Sequence, residues 1–327
     1  MSELSILIPM YNSEKTIVRT LDSVVRQQVN NIEVILIDDG SSDQTATKYE
    51  PYAREYSWIK YQVYPNGGVS KARNRALESA QGRYVMFLDS DDEIPEGFLK
   101  QLLAIISVQS YDIIFFDFAY RKGERLIPSP AGMDSGSFSM DGCDQLFIRF
   151  FNALLTHCIG AKAYRKSLIE QNKVKFDEQH SIYEDALFTI EFLKIADNGY
   201  YFNQCGYIYD LDQQNSLMHR KKHGFVEALN NFYQELNVMQ EIHHFKQTTL
   251  DYFDLKYIQS TVDLFVIEEK TEGSFDKSLH ELQQMNRINM NIPMDFKFRI
   301  YCRTILNHWD VLTKLIIKYY SKSKKQA

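Results

Sequence analysis

Three carboxylates follow a short apolar run in the first third of the chain. Residues 84–88 (Tyr-Val-Met-Phe-Leu) lead directly to Asp89, Asp91 and Asp92. Carboxylates this close repel one another unless a cation or a proton relieves the charge. Hard cations such as Mg²⁺ or Mn²⁺ prefer oxygen ligands, and Mg²⁺ completes its shell with water and substrate phosphates. The spacing therefore predicts a cation site for a phosphate-bearing ligand, with an ordinary acidic turn as the alternative.

The elements that must position these acids alternate between strand and helix. This alternation is typical of a parallel sheet covered by helices. We predict strands over residues 4–9, 32–37, 58–64, the run that ends at Asp89, and 111–120. Helices are predicted over 14–28, after an N-cap at Ser42 or Asp43, and over 70–80. Residues 123–142, rich in Gly, Pro and Ser, predict a loop or a small hairpin. The predicted fold class is α/β, with a mostly parallel sheet flanked by helices.

Polar residues also follow the first two predicted strands. Tyr11 and Asn12 come after the first strand, and Asp39 comes after the second. Ligands of open parallel sheets bind outside the carboxyl ends of the strands. These residues together predict a nucleotide-diphosphate pocket. The aromatic ring can stack on a base, the carboxylate can accept from a base N–H or a ribose hydroxyl, and the cation site can bind phosphates. The alternatives are that Tyr11 covers the core and that residues 39–41 form an Asx-type turn.

Two other nucleotide-binding folds do not fit the sequence. The first predicted strand is followed by residues 9–14, which lack the G-x-G-x-x-G pattern, and the chain has no P-loop pattern. Residues 66–74 combine a Gly-Gly turn, a helix start and the basic residues Lys71 and Arg73, so they can approach a phosphate or a sugar. The alternative is a plain turn with an N-cap at Ser70.

Composition limits the class of protein. The 327 residues are 44% hydrophobic, which predicts one catalytic domain with an appended piece. The net charge of −6 argues against a nucleic-acid binder. Four widely separated cysteines fit a reducing cytosol. The amino-terminal residues lack the features of a secretory signal and no stretch of eighteen residues is apolar throughout, so we expect a cytoplasmic protein, with the inner face of the membrane as a further location.

Four segments taken together resemble glycosyltransferase family 2. They are Ile8–Asn12, Ile37–Asp43, Asn66–Asn74 and Phe87–Asp92, and residues 182–188 are similar to the family's Glu-Asp motif. The resemblance implies a GT-A fold, a nucleotide-activated sugar donor that is most often a UDP-sugar, and transfer with inversion at the anomeric carbon. It also implies a divalent cation, Mn²⁺ or Mg²⁺.

The resemblance implies roles residue by residue. Donor-nucleotide contacts would come from Pro9, Tyr11, Asn12, Asp39, Asn66, Gly68, Arg73, Asp89 and Ser90. Asp91 would be the principal metal ligand, and Asp89 would face the metal or the ribose. His219 would reach the metal or the diphosphate, with ordinary solvated surface as its alternative.

The same resemblance makes Asp185 the general base, with Glu184 as its supporting neighbour. Inversion requires a base on the face of the sugar opposite the leaving diphosphate, while the metal stabilises charge on that diphosphate. An Asp near its reference pKa of about 3.9 is a weak base, so burial or Glu184 should raise the pKa of Asp185. The alternative is a charged first helical turn, where acids favour the helix dipole.

The remainder of the chain predicts helices. We divide it into a GT-A domain over 1–224 and a helical region over 225–327. Residues 296–327 contain eight Lys or Arg against one Asp, with apolar residues at helical spacing. This segment predicts either a peripheral membrane contact or packing on the domain or on another subunit of a homo-oligomer.

The predicted function is transfer of a sugar from UDP-Glc, UDP-Gal or UDP-GlcNAc to a hydroxyl of a growing glycan. The acceptor would be a lipid-linked or protein-linked glycan, such as a cell-surface polysaccharide precursor or a glycoprotein adhesin. The alternative is a catalytically idle GT-A-like subunit that supports a partner enzyme.

Overall fold

The computed structural model describes residues 2–155, 157–179, 182–212 and 225–268. The chain divides into two compact units, Met1–Lys221 and Lys222–Ala327. The described part of the second unit consists of helices α8 (Phe225–Ile242) and α9 (Gln247–Glu268). Within the described residues, no helix is both long and apolar enough to cross a membrane. Residues 296–327, for which membrane or protein contacts are predicted, lie outside the described ranges.

The first unit is built on one nine-stranded sheet. Its strands are β1 (Leu4–Met10), β2 (Ile32–Asp38), β3 (Ile59–Val63), β4 (Tyr84–Phe87), β5 (Ile113–Lys122), β6 (Arg125–Ser129), β7 (Gly136–Ser139), β8 (Lys162–Arg165) and β9 (Asn198–Asp210). Its helices are α1 (Ile17–Val25), α2 (Thr45–Glu55), α3 (Val69–Ser79), α4 (Phe98–Val108), α5 (Asp144–Asn152), α6 (Lys166–Asn172) and α7 (Glu184–Leu193).

The strand order is β3-β2-β1-β4-β8-β5-β9-β7, with β6 paired to β5. Strands β1 to β4 are mutually parallel, and β5 is parallel to β9. Strand β8 is antiparallel to both β4 and β5, so β5 points in the same direction as β4. Six strands therefore bring their carboxyl ends to one edge of the sheet, where ligands of such folds bind.

Burial explains why these segments form central strands. Every residue of β1 and of β2 is buried, as expected for near-continuous apolar strands covered by helices on both faces. The predicted α/β class with a mostly parallel sheet is confirmed. The Gly-, Pro- and Ser-rich segment contains β6, which forms a hairpin with β5, and β7, which pairs with β9.

Two predicted N-caps are wrong. The N-cap of helix α2 is Gln44 rather than Ser42 or Asp43, and the Asp43 carboxylate instead accepts a hydrogen bond from the Thr45 backbone N at 3.0 Å in a turn ahead of the helix. Helix α3 begins at Val69, so Ser70 is inside the helix and not its N-cap. Gly68 takes the N-cap position with φ +91°, a conformation that glycine adopts easily.

An aromatic cluster holds α7 against the end of β4. The Phe87 ring makes edge contacts with Phe176 and Phe188 at 5.2 and 5.7 Å, and the latter two rings stack at 4.2 Å. Tyr164 of β8 meets Phe188 at 5.5 Å. Each buried aromatic ring contributes roughly 1.5–3 kcal/mol of transfer free energy. This packing fixes the start of α7 beside the acids that follow β4.

Candidate active site

The turn after β4 separates the three acids into two groups. Asp92 is 1% exposed, and its carboxylate accepts hydrogen bonds from the Tyr207 hydroxyl and, at 2.8 Å, from the Asp210 backbone N. Burial, together with the Asp91 and Asp89 charges, raises the pKa of Asp92 well above its ordinary value. Asp92 therefore fastens β9 to the turn, whereas Asp89 and Asp91 remain partly exposed.

Asp91 has the electrostatics that a cation would relieve. Burial, then the Asp89 carboxylate, then that of Asp210, raises the pKa of Asp91 to about 6. Behind the turn, Arg19 of α1 pairs with Asp210 and donates to the Asp91 backbone oxygen at 2.7 Å. The described residues contain no group of three His, Cys, Asp or Glu arranged to hold a metal ion. The carboxylates of Asp89 and Asp91 fit an ion that takes its remaining ligands from water and phosphates.

The residues that follow β2 contact the turn that precedes α3. The Asp39 carboxylate is 4% exposed, accepts from the backbone N of Gly67 at 2.9 Å and of Gly68 at 2.7 Å, and pairs with Arg75 at 3.2 Å. The Asn66 amide donates to the Asp39 backbone oxygen at 3.0 Å. The structure thus brings Asp39, Asn66 and Gly68 together at one strand end.

Gly40 is required at this junction. Its φ is +77°, and a Cβ atom there would lie 2.8 Å from the Asn66 backbone N. The predicted Asx-type turn is also present, but its carboxylate belongs to Asp38, which accepts from the Ser41 backbone N at 2.8 Å. The Asp39 side chain is therefore committed to the 66–68 turn rather than to its own loop.

The loop after β1 lies against the same edge. Asn12 Oδ1 accepts from the Ser42 backbone N at 2.8 Å, and the hydroxyls of Ser13 and Ser90 lie 2.7 Å apart. Pro9 is buried within β1. Tyr11 is 51% exposed, so about half of its surface is open to solvent, and its covering of the core stays an alternative. Its ring is accessible at the carboxyl edge of the sheet.

Arg73 of α3 links the acids of the β4 turn to the start of α7. Its side chain is 4% exposed and pairs with Asp89 at 3.0 Å, with Asp185 at 2.5 Å and with Glu184 at 3.7 Å. Its guanidinium carbon lies 5.4 Å from the centroid of the Phe176 ring. These carboxylates raise the pKa of Arg73 and more than offset the effect of burial. One cation against three acids leaves the cluster negatively charged.

Asp185 has the raised pKa that a base needs. Burial is the largest cause, Glu184 and Asp89 add to it, and Arg73 opposes it. Asp185 and Glu184 do occupy the first turn of α7, as the helix-dipole alternative predicts. The contacts with Arg73 show that they also face the acids of the β4 turn, which a solvated helix start would not. His219, a predicted metal contact, lies outside the described residues.

The family model for glycosyl transferase family 2 matches residues 5–172, just over half of the chain. The chain belongs to glycosyltransferase family 2. Its relatives include the uncharacterized glycosyltransferase YibD of Escherichia coli, 30% identical over 67% of this chain and 65% of that protein. EpsJ of Bacillus subtilis, also an uncharacterized glycosyltransferase, is 29% identical over 65% of this chain and 62% of that protein. This family member therefore spans less than two thirds of each of these relatives.

A third relative has a described activity and solved structures. The poly(ribitol-phosphate) β-N-acetylglucosaminyltransferase TarS of Staphylococcus aureus is 30% identical over 62% of this chain and 35% of that protein. The crystal structure of its residues 1–349 in complex with UDP-GlcNAc has a TM-score of 0.77 at 24% identity and covers 99% of this chain and 92% of the other. This likeness confirms the GT-A fold expected of the family.

Several residues around the site were not predicted. Arg75, which pairs with Asp39, lies two positions after Arg73, and Arg19 and Tyr207 hold the β4 turn from α1 and β9. Lys162 of β8 is fully buried, and its ammonium donates to the backbone oxygens of Leu155 and Cys158. Burial lowers the pKa of Lys162 to about 8.

Proposed function

We propose that this family member transfers a sugar from a UDP-sugar to a hydroxyl of a growing glycan, with inversion at the anomeric carbon. The observation that carries the proposal is the Arg73 bridge, which places Asp89 after β4 and Asp185 of α7 on the same guanidinium. A candidate metal-side acid and a candidate base therefore lie within one side chain of each other. In-line displacement needs both groups around one sugar carbon, with the base on the face opposite the leaving diphosphate.

The carboxyl edge of the first strands would hold the nucleotide. Tyr11 would stack on the base, with Pro9 and Asn12 shaping the loop beneath it. Asp39, Asn66 and Gly68 would face the nucleoside, and Ser90 would border the ribose. The TarS structures with UDP-GlcNAc and with UDP support a UDP-sugar donor. UDP-Glc, UDP-Gal and UDP-GlcNAc are the donors proposed.

Asp91 and Asp89 would hold Mn²⁺ or Mg²⁺, and His219 is proposed as a further contact. The raised pKa of Asp91 and its acidic neighbours support this assignment. The bound cation would offset the charge that develops on the departing diphosphate. Arg73 would keep Asp89 oriented toward that ion while lining the donor site.

Asp185 would accept the proton of the acceptor hydroxyl. Its raised pKa gives it more proton affinity than an ordinary aspartate, and Glu184 contributes to that rise. Because Arg73 opposes the rise, the carboxyl would still be ionised often enough at neutral pH to act as a base. Lipid-linked and protein-linked glycans remain the acceptor classes proposed.

Nucleotide release provides the test. We would incubate the protein with UDP-Glc, UDP-Gal, UDP-GlcNAc and GDP-sugars in Mn²⁺, Mg²⁺ or EDTA, and follow transfer to simple glycosides by mass spectrometry. Cation-dependent release from one UDP-sugar, with a mass gain on an acceptor, is the expected result. If no donor is bound or turned over, the proposal fails and the idle-subunit alternative replaces it.

A further inference from the structure

A second concave site lies in the first unit, apart from the residues assigned to the donor and the base. It is a groove of about 580 Å³, which we call the bulge groove. Its lining residues are Asp117, Pro130, Gly132, Met133, Asp134, Arg149, Tyr201 and Asn203. They come from β5, from the segment between β6 and β7, from α5 and from β9. The proposed donor site uses none of them.

Asp117 is the buried polar residue that lines the bulge groove. The register between β5 and β9 shifts on both sides of Asp117, and such irregularities redirect a side chain. Asp117 is only 7% exposed, and its Oδ1 accepts from the Tyr201 hydroxyl at 2.6 Å and from the Ala131 backbone N at 3.0 Å. Among the described residues, no group donates to its second oxygen, Oδ2. A buried carboxylate with one oxygen fixed and the other available suits a ligand that donates hydrogen bonds.

The rest of the lining supplies complementary groups. Arg149 is exposed and donates through Nη1 to the Gly132 backbone oxygen at 3.0 Å, which leaves its other N–H groups for a ligand. Asn203 accepts from the Ser135 hydroxyl at 2.7 Å through Oδ1, so the donors of this side chain are on its amide nitrogen. Met133 adds an apolar wall. Acceptors and donors around a short apolar surface match the alternating hydroxyls and C–H faces of a sugar.

The charge of the lining favours a neutral ligand over an anionic one. Asp117 and Asp134 face the groove with Arg149 as its cation, so the lining carries a small negative excess. A polyanion would be repelled by two carboxylates, one of them buried and unable to turn away. A neutral oligosaccharide would meet no such penalty and would satisfy Oδ2 of Asp117 with a hydroxyl.

Ring contacts relate helix α5, which forms one wall of this groove, to the start of α7. Helix α5 carries both Arg149 and Phe151, and the Phe151 ring lies 5.2 Å from His157. His157 in turn lies 6.1 Å from Tyr183, the residue that caps α7 immediately before Glu184 and Asp185. The groove and the base are therefore connected through α5 and the segment that follows it.

We propose that the bulge groove binds a neutral oligosaccharide stretch of the acceptor, several sugar units from the hydroxyl that reacts. This inference rests on the proposed transferase function and adds the acceptor's chemical class to it. Asp117 Oδ2 accepts a sugar hydroxyl, Arg149 and Asn203 donate to neighbouring oxygens, and Met133 packs against a pyranose face. The groove thereby selects extended neutral glycans over polyanionic polymers.

Direct binding tests the groove without any transfer reaction. We would titrate linear tetrasaccharides of glucose, galactose and N-acetylglucosamine, and inorganic polyphosphate as the anionic probe, by saturation-transfer NMR with saturating UDP present. At least one tetrasaccharide should bind the wild-type protein, and polyphosphate should not displace it. Asp117→Asn and Arg149→Gln should each weaken binding about tenfold, as expected for a lost hydrogen bond to a charged group.

The controls separate the outcomes. Glu96→Gln removes an exposed carboxylate on the segment before α4 and should leave binding unchanged. The Asp117→Asn variant can still accept hydrogen bonds from Tyr201 and Ala131. If it nevertheless unfolds, the Arg149→Gln variant, which changes an exposed residue, tests binding to the groove by itself. Binding of no tetrasaccharide, equal binding by Arg149→Gln, or displacement by polyphosphate would overturn the inference. Nucleotide release, measured separately, reports on the transferase function itself.

Discussion

The two halves of the sheet obtain their polar sites by different means. In the parallel half, from β1 to β4, the Asp39 carboxylate is held by the backbone amides of Gly67 and Gly68. In the mixed half, from β5 to β9 with α7, Asp185 is partly buried, which raises its pKa, and it pairs with Arg73 of the other half. Backbone amides fix a shape, whereas burial and ion pairing set a proton affinity. This difference suggests that the first half positions the nucleotide and the second half controls the acceptor chemistry.

Asp185→Asn is the strongest test of that division. It should lower the rate of sugar transfer about a thousandfold, because general-base catalysis contributes roughly 10²–10⁴. Donor affinity, measured by titration calorimetry, should change little since the proposed nucleotide contacts lie in the parallel half. Glu191→Gln, a half-exposed member of an ion pair on the same helix, is the matched control. Undiminished transfer by Asp185→Asn would remove it as the base.

Asp91→Asn should weaken cation-dependent donor turnover on the order of a hundredfold, since a metal supplies several kcal/mol of charge stabilisation. In the wild-type protein, Mn²⁺ should raise the melting temperature more at pH 7.5 than at pH 5. Because the pKa of Asp91 is raised to about 6, the ion must displace a proton from this carboxyl at the lower pH and should bind more weakly there. Equal stabilisation by Mn²⁺ at both pH values would contradict the assignment.

Arg73→Gln should lower the stability of the protein and change the pKa of Asp185. The buried cation pairs with acids from both halves, and breaking such a pair costs about 3–5 kcal/mol where it is fully buried. Because Asp89 and Asp185 are partly exposed, we expect about 2 kcal/mol of lost stability, measured by urea unfolding. Arg73 lowers the pKa of Asp185, so without it the carboxyl ionises at higher pH.

The acid limb of the pH–rate profile should therefore move to higher pH in Arg73→Gln. If Asp185 is the base, transfer by the wild-type protein should be lost as pH falls through the folded-state pKa of Asp185, and removing the cation should raise that pKa. Arg83→Gln, whose partner Glu3 is 40% exposed, is the matched control and should leave the limb in place. An unmoved limb in Arg73→Gln would show that Asp185 is not the titrating group.

Tyr11→Ala should have the smallest effect and should act on the nucleotide alone. Loss of one base-stacking contact costs about 1–3 kcal/mol, so the KM for the donor should rise about tenfold while kcat stays near its wild-type value. Tyr11→Phe retains the ring and should behave as the wild type. A fall in kcat without a change in donor KM would place Tyr11 outside the nucleotide site and weaken the proposed division.

The sequence predicts the parallel half better than the mixed half. Strands β1 and β2 are continuous apolar runs with short connections, so each could be recognised from a few adjacent residues. Strand β8 has four residues, one of them Lys162, and no local pattern distinguishes it. Its place in the sheet depends on pairing with residues about eighty and fifty positions earlier.

The site shows the same contrast. Spacing and resemblance identified Asp39, Asp89, Asp91 and Asp185 as candidates, because each belongs to a short motif. The junctions between them could not be predicted: the Arg73 bridge joins α3 to residues about 110 positions later, and the Asp39–Arg75 pair joins a strand end to a helix. Such contacts depend on how whole elements pack, and the bulge at Asp117 has no sequence pattern at all.

The position of β8 has a consequence during synthesis. Strand β4 emerges from the ribosome with one edge unpaired, and its partner on that edge is made about 80 residues later. At roughly 5–20 residues per second, the interval is about 4–16 s, which is long compared with the formation of a helix or a hairpin. A nascent chain therefore carries an open strand edge in the centre of its future sheet for seconds, and the residues that close it also bring the segment leading to Asp185. Pairing of β8 with β4 and placement of Asp185 beside the β4 turn are therefore both late events in cotranslational folding.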